Sequence, residues 1–324
     1  MAVYAPSGSG NLHIDIALTN ISVGFPNTGL VSDQLFPAVP VAKQSNKYYT
    51  FGREGWLPED DVRAPGTEAN EIPGMQVSTD TYYANEHALQ IAVTDEEREN
   101  VDSPFSPDRD GTELVTSKIQ MGRELAIKSL VTTPANYAAG MTVTLAGTTQ
   151  WSDYVNSNPI SDVRVGRRAV NASIFMDPNT IVIPYQVMSA LEDHPDFIER
   201  IKYSERAIIT PEIIGGMFGF TNVIIPGTGI VTGNPGQAAS LGYLWGKDVL
   251  MAYVPARAGL KIPAYAYEFV WGYGGARPQI VDRWREDKRA SDLLRVRRRY
   301  DLKFVAVDGT GKSIAGYLIK SAIA

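Results

Sequence analysis

Few places in the sequence combine residue types and spacing that could carry covalent or metal chemistry. Gly311-Lys312-Ser313 ends like a phosphate-binding loop, but GxxxxGK[ST] needs glycine at position 306, where Ala306 stands. Such a loop must also open a helix between core strands, and only 11 residues follow Ser313, so this is read as a hairpin turn. The glycines at 227, 229, 233 and 236 lack the GxGxxG spacing, and Pro235 hinders the helix start that a phosphate would need, which leaves a surface loop. His13, His87 and His194 sit in no metal-ligand spacing, and the Glu192-Asp193-His194-Pro195-Asp196 cluster is read as capping at a helix break. A Ser-His-Asp triad needs no adjacency in sequence, but no serine stands in GxSxG. The carboxylate pairs Asp60/Asp61, Glu96/Glu97 and Glu286/Asp287 are sequence neighbours, which on a strand point to opposite faces and make no acid/base dyad. These readings leave no catalytic residue, no cofactor and no metal.

What the chain does offer is electrostatic. From Arg53 to Glu99 there are 12 acidic side chains against three arginines, and Glu54, Glu59, Asp60, Asp61, Glu68 and Glu71 fall in a stretch punctuated by prolines 58, 65 and 73. Residues 277–303 reverse the sign, with ten Lys or Arg against five acids. There Arg295, Arg297 and Arg299 alternate with apolar residues, and Arg298 stands between the last two. Arginine suits protein interfaces because its planar fork binds carboxylates bidentately. These six acids and four arginines are the candidate inter-subunit contacts, with acids of the same chain as the other possible partners of the arginines.

At 324 residues the chain can bury a sizeable core in one or two domains, and 44% hydrophobic with 20% charged residues excludes wholesale disorder. A net charge of −6 argues against a dedicated DNA-binding protein. Without cysteine there are no disulfides or thiolate sites. The start lacks a signal-peptide pattern, and no apolar run is long enough to span a bilayer, so a soluble cytoplasmic product without membrane contact is expected.

The elements that must position these charges follow from pattern. Residues 1–46, with prolines at 26, 37 and 40, predict an extended arm lying over another surface. Residues 47–51 and 77–94 have strand character, with Leu89, Ile91 and Val93 alternating against Gln90, Ala92 and Thr94. Fully extended, the second run would reach about 60 Å and overhang the body. Asp110 and Glu113 have capping-box spacing for a helix to about 133, with Val115, Ile119, Gly122, Ala126 and Leu130 on one face and Arg123 mostly off it. Residues 134–150 are loop-like with a short strand at 141–145, and from Trp151 helices and strands alternate: helices over 162–173, 185–192, to 201 and from 210, and strands at 180–184, 222–225, 242–254 and 265–273. At the end, Leu294, Val296, Tyr300, Leu302 and Phe304 share one strand face, with Arg295, Arg297, Arg299, Asp301 and Lys303 on the other, and 312–319 is expected to return as the partner strand.

This order of parts, together with WSDYVNSNPISDVRVG, NTIVIPYQVMSALEDHPDFIERIKYS, LWGKDVLMAYVP and RRRYDLKFVAVD, resembles the tailed-bacteriophage major capsid proteins of the Hong Kong 97-type fold. The resemblance implies an α+β chain with an N-terminal arm (1–46), an extended β-hairpin loop (47–100), a peripheral domain with a spine helix near 110–133 (101–150), an axial domain (151–275) and returning peripheral strands (276–324). It implies a non-enzymatic subunit that assembles with itself, in hexamers and pentamers, into an icosahedral head around double-stranded DNA, held through non-specific contacts. Portal and decoration proteins are the further partners it implies, and assembly in the host cytoplasm and residence in the virion capsid follow. The arm is short and poor in charge, which implies a separate scaffolding protein. Residues 53–99 hold no lysine, so the lysine cross-link of some members has no nucleophile in this loop. The competing classes are a hydrolase with a lid at 53–76, marked by a stable monomer with a polar pocket, and a nucleic-acid module using the basic face, marked by salt-dependent binding.

Overall fold

The structure, a computed structural model, describes residues 13–14, 29–50, 61–63, 65–66, 68–69, 80–102, 105–202, 210–231, 241–272 and 279–324. After the two-residue strand β1 (His13–Ile14) the chain is picked up at a single helical turn, α1 (Ser32–Leu35), followed by β2 (Ala38–Pro40) and β3 (Ser45–Lys47). Val31, Leu35 and Phe36 are fully buried. Between residues 31 and 41, therefore, the segment expected to lie as an arm over another surface sends Val31, Leu35, Phe36, Val39 and Val41 into this chain's own core. One turn of helix brings Val31 and Leu35 to the same side, and Pro37 then forces extended backbone.

β4 (Thr81–Tyr83) pairs antiparallel with β3, and β5 (Asn85–Thr94) runs into α2 (Asp95–Asn100) through a true capping box. There Thr94 Oγ1 accepts from the Glu97 amide at 3.2 Å, and Glu97 Oε2 accepts from the Thr94 amide at 3.1 Å. The box expected at Asp110 and Glu113 does not form, because α3 (Pro107–Val131) starts three residues earlier with proline in its first turn. Asp110 instead accepts from the Ser106 amide at 3.2 Å, and Glu113 takes Arg109 at 3.0 Å, an i,i+4 pair.

The rest of the chain supplies β6 (Thr142–Thr144), α4 (Pro159–Ile174), β7 (Thr180–Val182), α5 (Tyr185–Glu192), α6 (Pro195–Ile201), α7 (Pro211–Phe218) and β8 (Asn222–Ile224). A small hairpin of β9 (Gly229–Val231) and β10 (Leu241–Tyr243) precedes β11 (Val249–Ala252), β12 (Ala266–Val270), β13 (Gln279–Glu286), β14 (Ser291–Phe304) and β15 (Gly316–Lys320).

Two sheets organise these pieces. The larger is built on the 14-residue β14. β5 lies antiparallel along one edge from Ser291 to Tyr300, β13 along the other from Ser291 to Arg298, and β12 continues that second edge from Tyr300 to Phe304. β2 joins β12 in parallel, and β1 joins β13. β5 is thus sheet-bound over its length, so the overhanging strand expected for 77–94 is corrected for 85–94. A strand with one apolar side gains more by covering β14 than by extending into water. The smaller sheet has the order β6-β15-β11-β7-β8. Here a second expectation fails: β15 pairs with β11 and β6 rather than returning along β14. Asp308 to Gly311 does form a turn, with Gly311 at φ +78, but the chain crosses to the other sheet after it.

α3 packs across one face of the larger sheet, where Val115 and Ile119 meet Val93, Val281, Leu294 and Val296. Its inward stripe continues through Arg123, Glu124, Ile127 and Val131, whereas the expected Gly122 and Ala126 face outward. The hydrophobicity pattern misled because two of the inward positions are charged.

Candidate functional site: a charge-laced sheet

Strand alternation sends β14's side chains to two faces. On the face away from α3 stand Arg295, Arg297 and Arg299. Asp282 of β13, directly opposite Arg295 and fully buried, accepts from Arg295 at 3.0 Å and from Arg297 at 3.0 Å through its two oxygens. Glu86 of β5, opposite Arg299, takes that guanidinium at 2.6 Å and lies 3.8 Å from Arg297. Trp284 and Trp271 lie against this row, with Arg295 at 5.0 Å and Arg299 at 4.6 Å from their ring centres. The row is therefore a ladder of in-chain ion pairs and cation–π contacts, half-open to solvent.

Arg298 falls on the opposite face, toward α3. It grips Glu268 of β12 bidentately, at 3.0 Å through each of two nitrogens. Arg123 of α3 also pairs with Glu268, and reaches Asp33 at 2.6 Å and Ser32 Oγ at 3.0 Å. The next residue, Glu124, is fully buried: Oε1 accepts from the Val31 amide at 3.0 Å and from Trp245 Nε1 at 2.7 Å, and Oε2 from the Ser32 amide at 3.0 Å. Two adjacent residues of α3 thus pin the segment at 31–33, β12, β14 and Trp245 to one another. Sequence reading missed Arg123, Glu124, Glu268 and Asp282, because nothing in the local pattern separates a buried charge from a surface one.

A third cluster closes the end of the sheet, where Asp292 meets Arg283 at 2.5 Å and Arg98 at 3.0 Å, and Arg98 also holds Asp108 at 2.6 Å. Burial of Asp292 opposes its ionisation, yet the guanidiniums of Arg283 and Arg98 outweigh this and lower its pKa from the ordinary value. Asp95, bound bidentately by Arg285, is lowered too.

Of the acids singled out from sequence, Asp61 and Glu68 are exposed, and Glu54, Glu59, Asp60 and Glu71 lie outside the described residues. The sheet therefore joins the four arginines to Asp282, Glu86 and Glu268 of their own chain.

One arrangement looks catalytic. Ser157 Oγ lies 3.0 Å from His194 Nε2, with Asp196 4.0 Å from Nδ1. The hydrogen bonds assign it otherwise. Nδ1 accepts from the Asp196 amide at 3.2 Å, so Nε2 carries the proton and donates to Ser157, whose hydroxyl in turn donates to the Asp153 carbonyl at 2.7 Å. A base must present a lone pair to its nucleophile, and here it presents a proton. His194 is the N-cap of α6, with 1% exposure. Among the described residues no group of three His, Asp or Glu side chains could hold a metal, and no helix is long and apolar enough to cross a membrane.

No family model matches the chain. It is 28% identical over 260 residues to the major capsid protein of Burkholderia phage BcepMu, covering 80% of this chain and 82% of that protein. To the major capsid protein of Pseudomonas phage JBD67 it is 26% identical over 243 residues, covering 74% and 77%. The crystal structure of a phage-related protein from Bordetella bronchiseptica RB50 matches it with a TM-score of 0.76 at 25% identity, over 97% of this chain and 98% of that one. The chain is similar to phage major capsid proteins along most of its length, which supports placing it with the tailed-bacteriophage major capsid proteins. Its α+β architecture is the Hong Kong 97-like one, and it is a structural capsid subunit of the virion rather than an enzyme. The ion-paired sheet therefore belongs to a protein whose work is to hold its shape and to present surfaces to its own copies.

Proposed function

We infer that this subunit assembles as hexamers and pentamers into an icosahedral phage head enclosing double-stranded DNA. The observation that carries the reading is the similarity to two phage major capsid proteins along 74% to 82% of each sequence. In this reading the larger sheet with α3 as spine is the peripheral domain, the smaller sheet with α4 to α7 is the axial domain, and residues 47–100 include the extended loop. Glu54, Glu59, Asp60, Asp61, Glu68 and Glu71 reach a neighbouring copy. Arg295, Arg297 and Arg299 act first as the internal frame of the sheet and present only their outer edges to a neighbour, while Arg298, turned toward α3, serves the frame alone. A separate scaffolding protein sets curvature, a portal and decoration proteins complete the head, DNA is held without sequence preference, and assembly takes place in the host cytoplasm.

Electron microscopy of the purified chain tests this directly. Closed shells or hexamer-based sheets and tubes are expected, alone or on co-expression with a scaffolding protein. A chain that remains monomeric at micromolar concentration in both settings overturns it.

A further inference from the structure

Two groups of largely exposed charge on the helices around the smaller sheet are mostly without ion-pair partners among the described residues. On α4, Arg164, Arg167 and Arg168 stand at i, i+3 and i+4 and so share one side of the helix. They line a shallow cavity of about 350 Å³ together with Asn171 and Asp177. Asp177 is its one carboxylate, 3.6 Å from Arg167 and accepting from Asn171 at 2.8 Å. Arg167 also donates to the Phe218 carbonyl at 3.1 Å and lies 5.7 Å over Phe220, which fixes it as a wall of the cavity. Arg164 and Arg168 are exposed and make no ion pair among the described residues. Three arginines to one acid leave the cavity positive.

The second group is the corner between α5 and α6. Glu192, Asp193 and Glu199 are exposed there and make no ion pair among the described residues. Glu192 is the last residue of α5, where the partial negative charge of the free carbonyls disfavours a carboxylate. Residues 192–202 hold four acids to two bases, so the corner is negative by about as much as the cavity is positive.

Charges of opposite sign that make no ion pair with each other among the described residues can meet between two copies. Because the two surfaces differ, their contact is head-to-tail, and repeating it by rotation closes a ring. Nucleic acid would suit the cavity, but it leaves the acidic corner unexplained, and a chain of net charge −6 opposes it. The row of Arg295, Arg297 and Arg299 is a weaker receiver, since Asp282 and Glu86 already occupy it. We propose that the cavity of Arg164, Arg167 and Arg168 in one copy receives the corner of Glu192, Asp193 and Glu199 in the next, and that this contact fixes neighbour order around each ring. The proposal rests on the self-assembly reading and names the surfaces that carry it.

A charge swap tests it. Arg164→Glu with Arg168→Glu, and separately Glu192→Lys with Glu199→Lys, are each expected to raise the concentration needed for assembly about tenfold or more in sedimentation and electron microscopy. Circular dichroism and thermal unfolding of the same variants should match the parent chain, because all four positions are exposed. Combining both pairs in one chain should restore assembly. Single pairs that assemble like the parent, or a combined variant that is not rescued, overturn the proposal. Loss of salt-dependent duplex binding in the arginine pair without rescue would instead assign the cavity to nucleic acid. If the parent chain itself forms no assemblies, it is the self-assembly reading that fails.

Discussion

Single residues carry an unusual share of this fold because so many charges lie inside it. Removing one partner of a buried pair leaves the other charge unsolvated, which costs more than the pair contributes. Arg123→Met should therefore lower the unfolding free energy by about 3 kcal/mol, toward the lower end because Arg298 still holds Glu268. Urea denaturation measures this, and a loss below about 1 kcal/mol would show that Arg123 is not the clamp described. Glu124→Gln is a finer probe. The amide has one accepting oxygen, so its NH2 must face a backbone or indole N–H that now has no acceptor. A loss of about 2 kcal/mol is expected. These residues were invisible in the sequence for a physical reason: a buried charge is defined by its partner, and Glu268 lies 145 residues from Arg123.

At the scale of elements, what could be read from sequence was what has a period. β14 announced itself by alternation and β7 by a short apolar run, and each is set by local geometry. Arg298 breaks the alternation because its acid comes from β12, a pairing no single strand reveals. The burial of Val31, Leu35, Phe36, Val39 and Val41 and the crossing of β15 to the other sheet are tertiary choices, and proline-rich or short apolar text is compatible with either outcome. The candidate site was legible in its arginines and not in the acids that occupy them. Close approach is equally hidden. A Cβ on Gly166 of α4 would stand 2.2 Å from Met251 Cε and 2.7 Å from Tyr317 Cδ1. The methionine can swing away, but the tyrosine ring is packed. Gly166→Ala should thus cost about 1 to 3 kcal/mol despite the better helix propensity of alanine, and a rise in melting temperature would refute the close packing. The N-cap of α6 gives a pH signature. Burial lowers the His194 pKa below 6.5, with Asp196 opposing. The unfolded chain therefore binds a proton more readily than the folded one, and stability falls as pH drops from 6.5 toward the lowered value. His194→Asn keeps an acceptor for the Asp196 amide and removes the titration. The difference in unfolding free energy between pH 7.5 and 5.5 should shrink in this variant, and an unchanged difference would place the pH dependence elsewhere.

For the whole molecule, the charges divide by burial into two populations that should respond differently to salt. Asp282, Glu268 and Arg123 are within the chain and almost inaccessible. Mobile ions reach them poorly, so their pairing is weakly screened. Arg164, Arg168, Glu192, Asp193 and Glu199 are exposed, and the contact proposed for them forms across a boundary that ions enter. The screening length shrinks from about 10 Å at 0.1 M to about 3 Å at 1 M salt. Raising sodium chloride over that range should leave the monomer's melting temperature nearly constant and move its assembly to higher protein concentration. An assembly driven by apolar contacts would do the opposite, since salts that strengthen burial favour association. Light scattering across a salt series, beside a thermal melt of dilute chain, separates these outcomes. If assembly strengthens with salt, the charge-complementary ring contact is wrong even though the capsid fold stands.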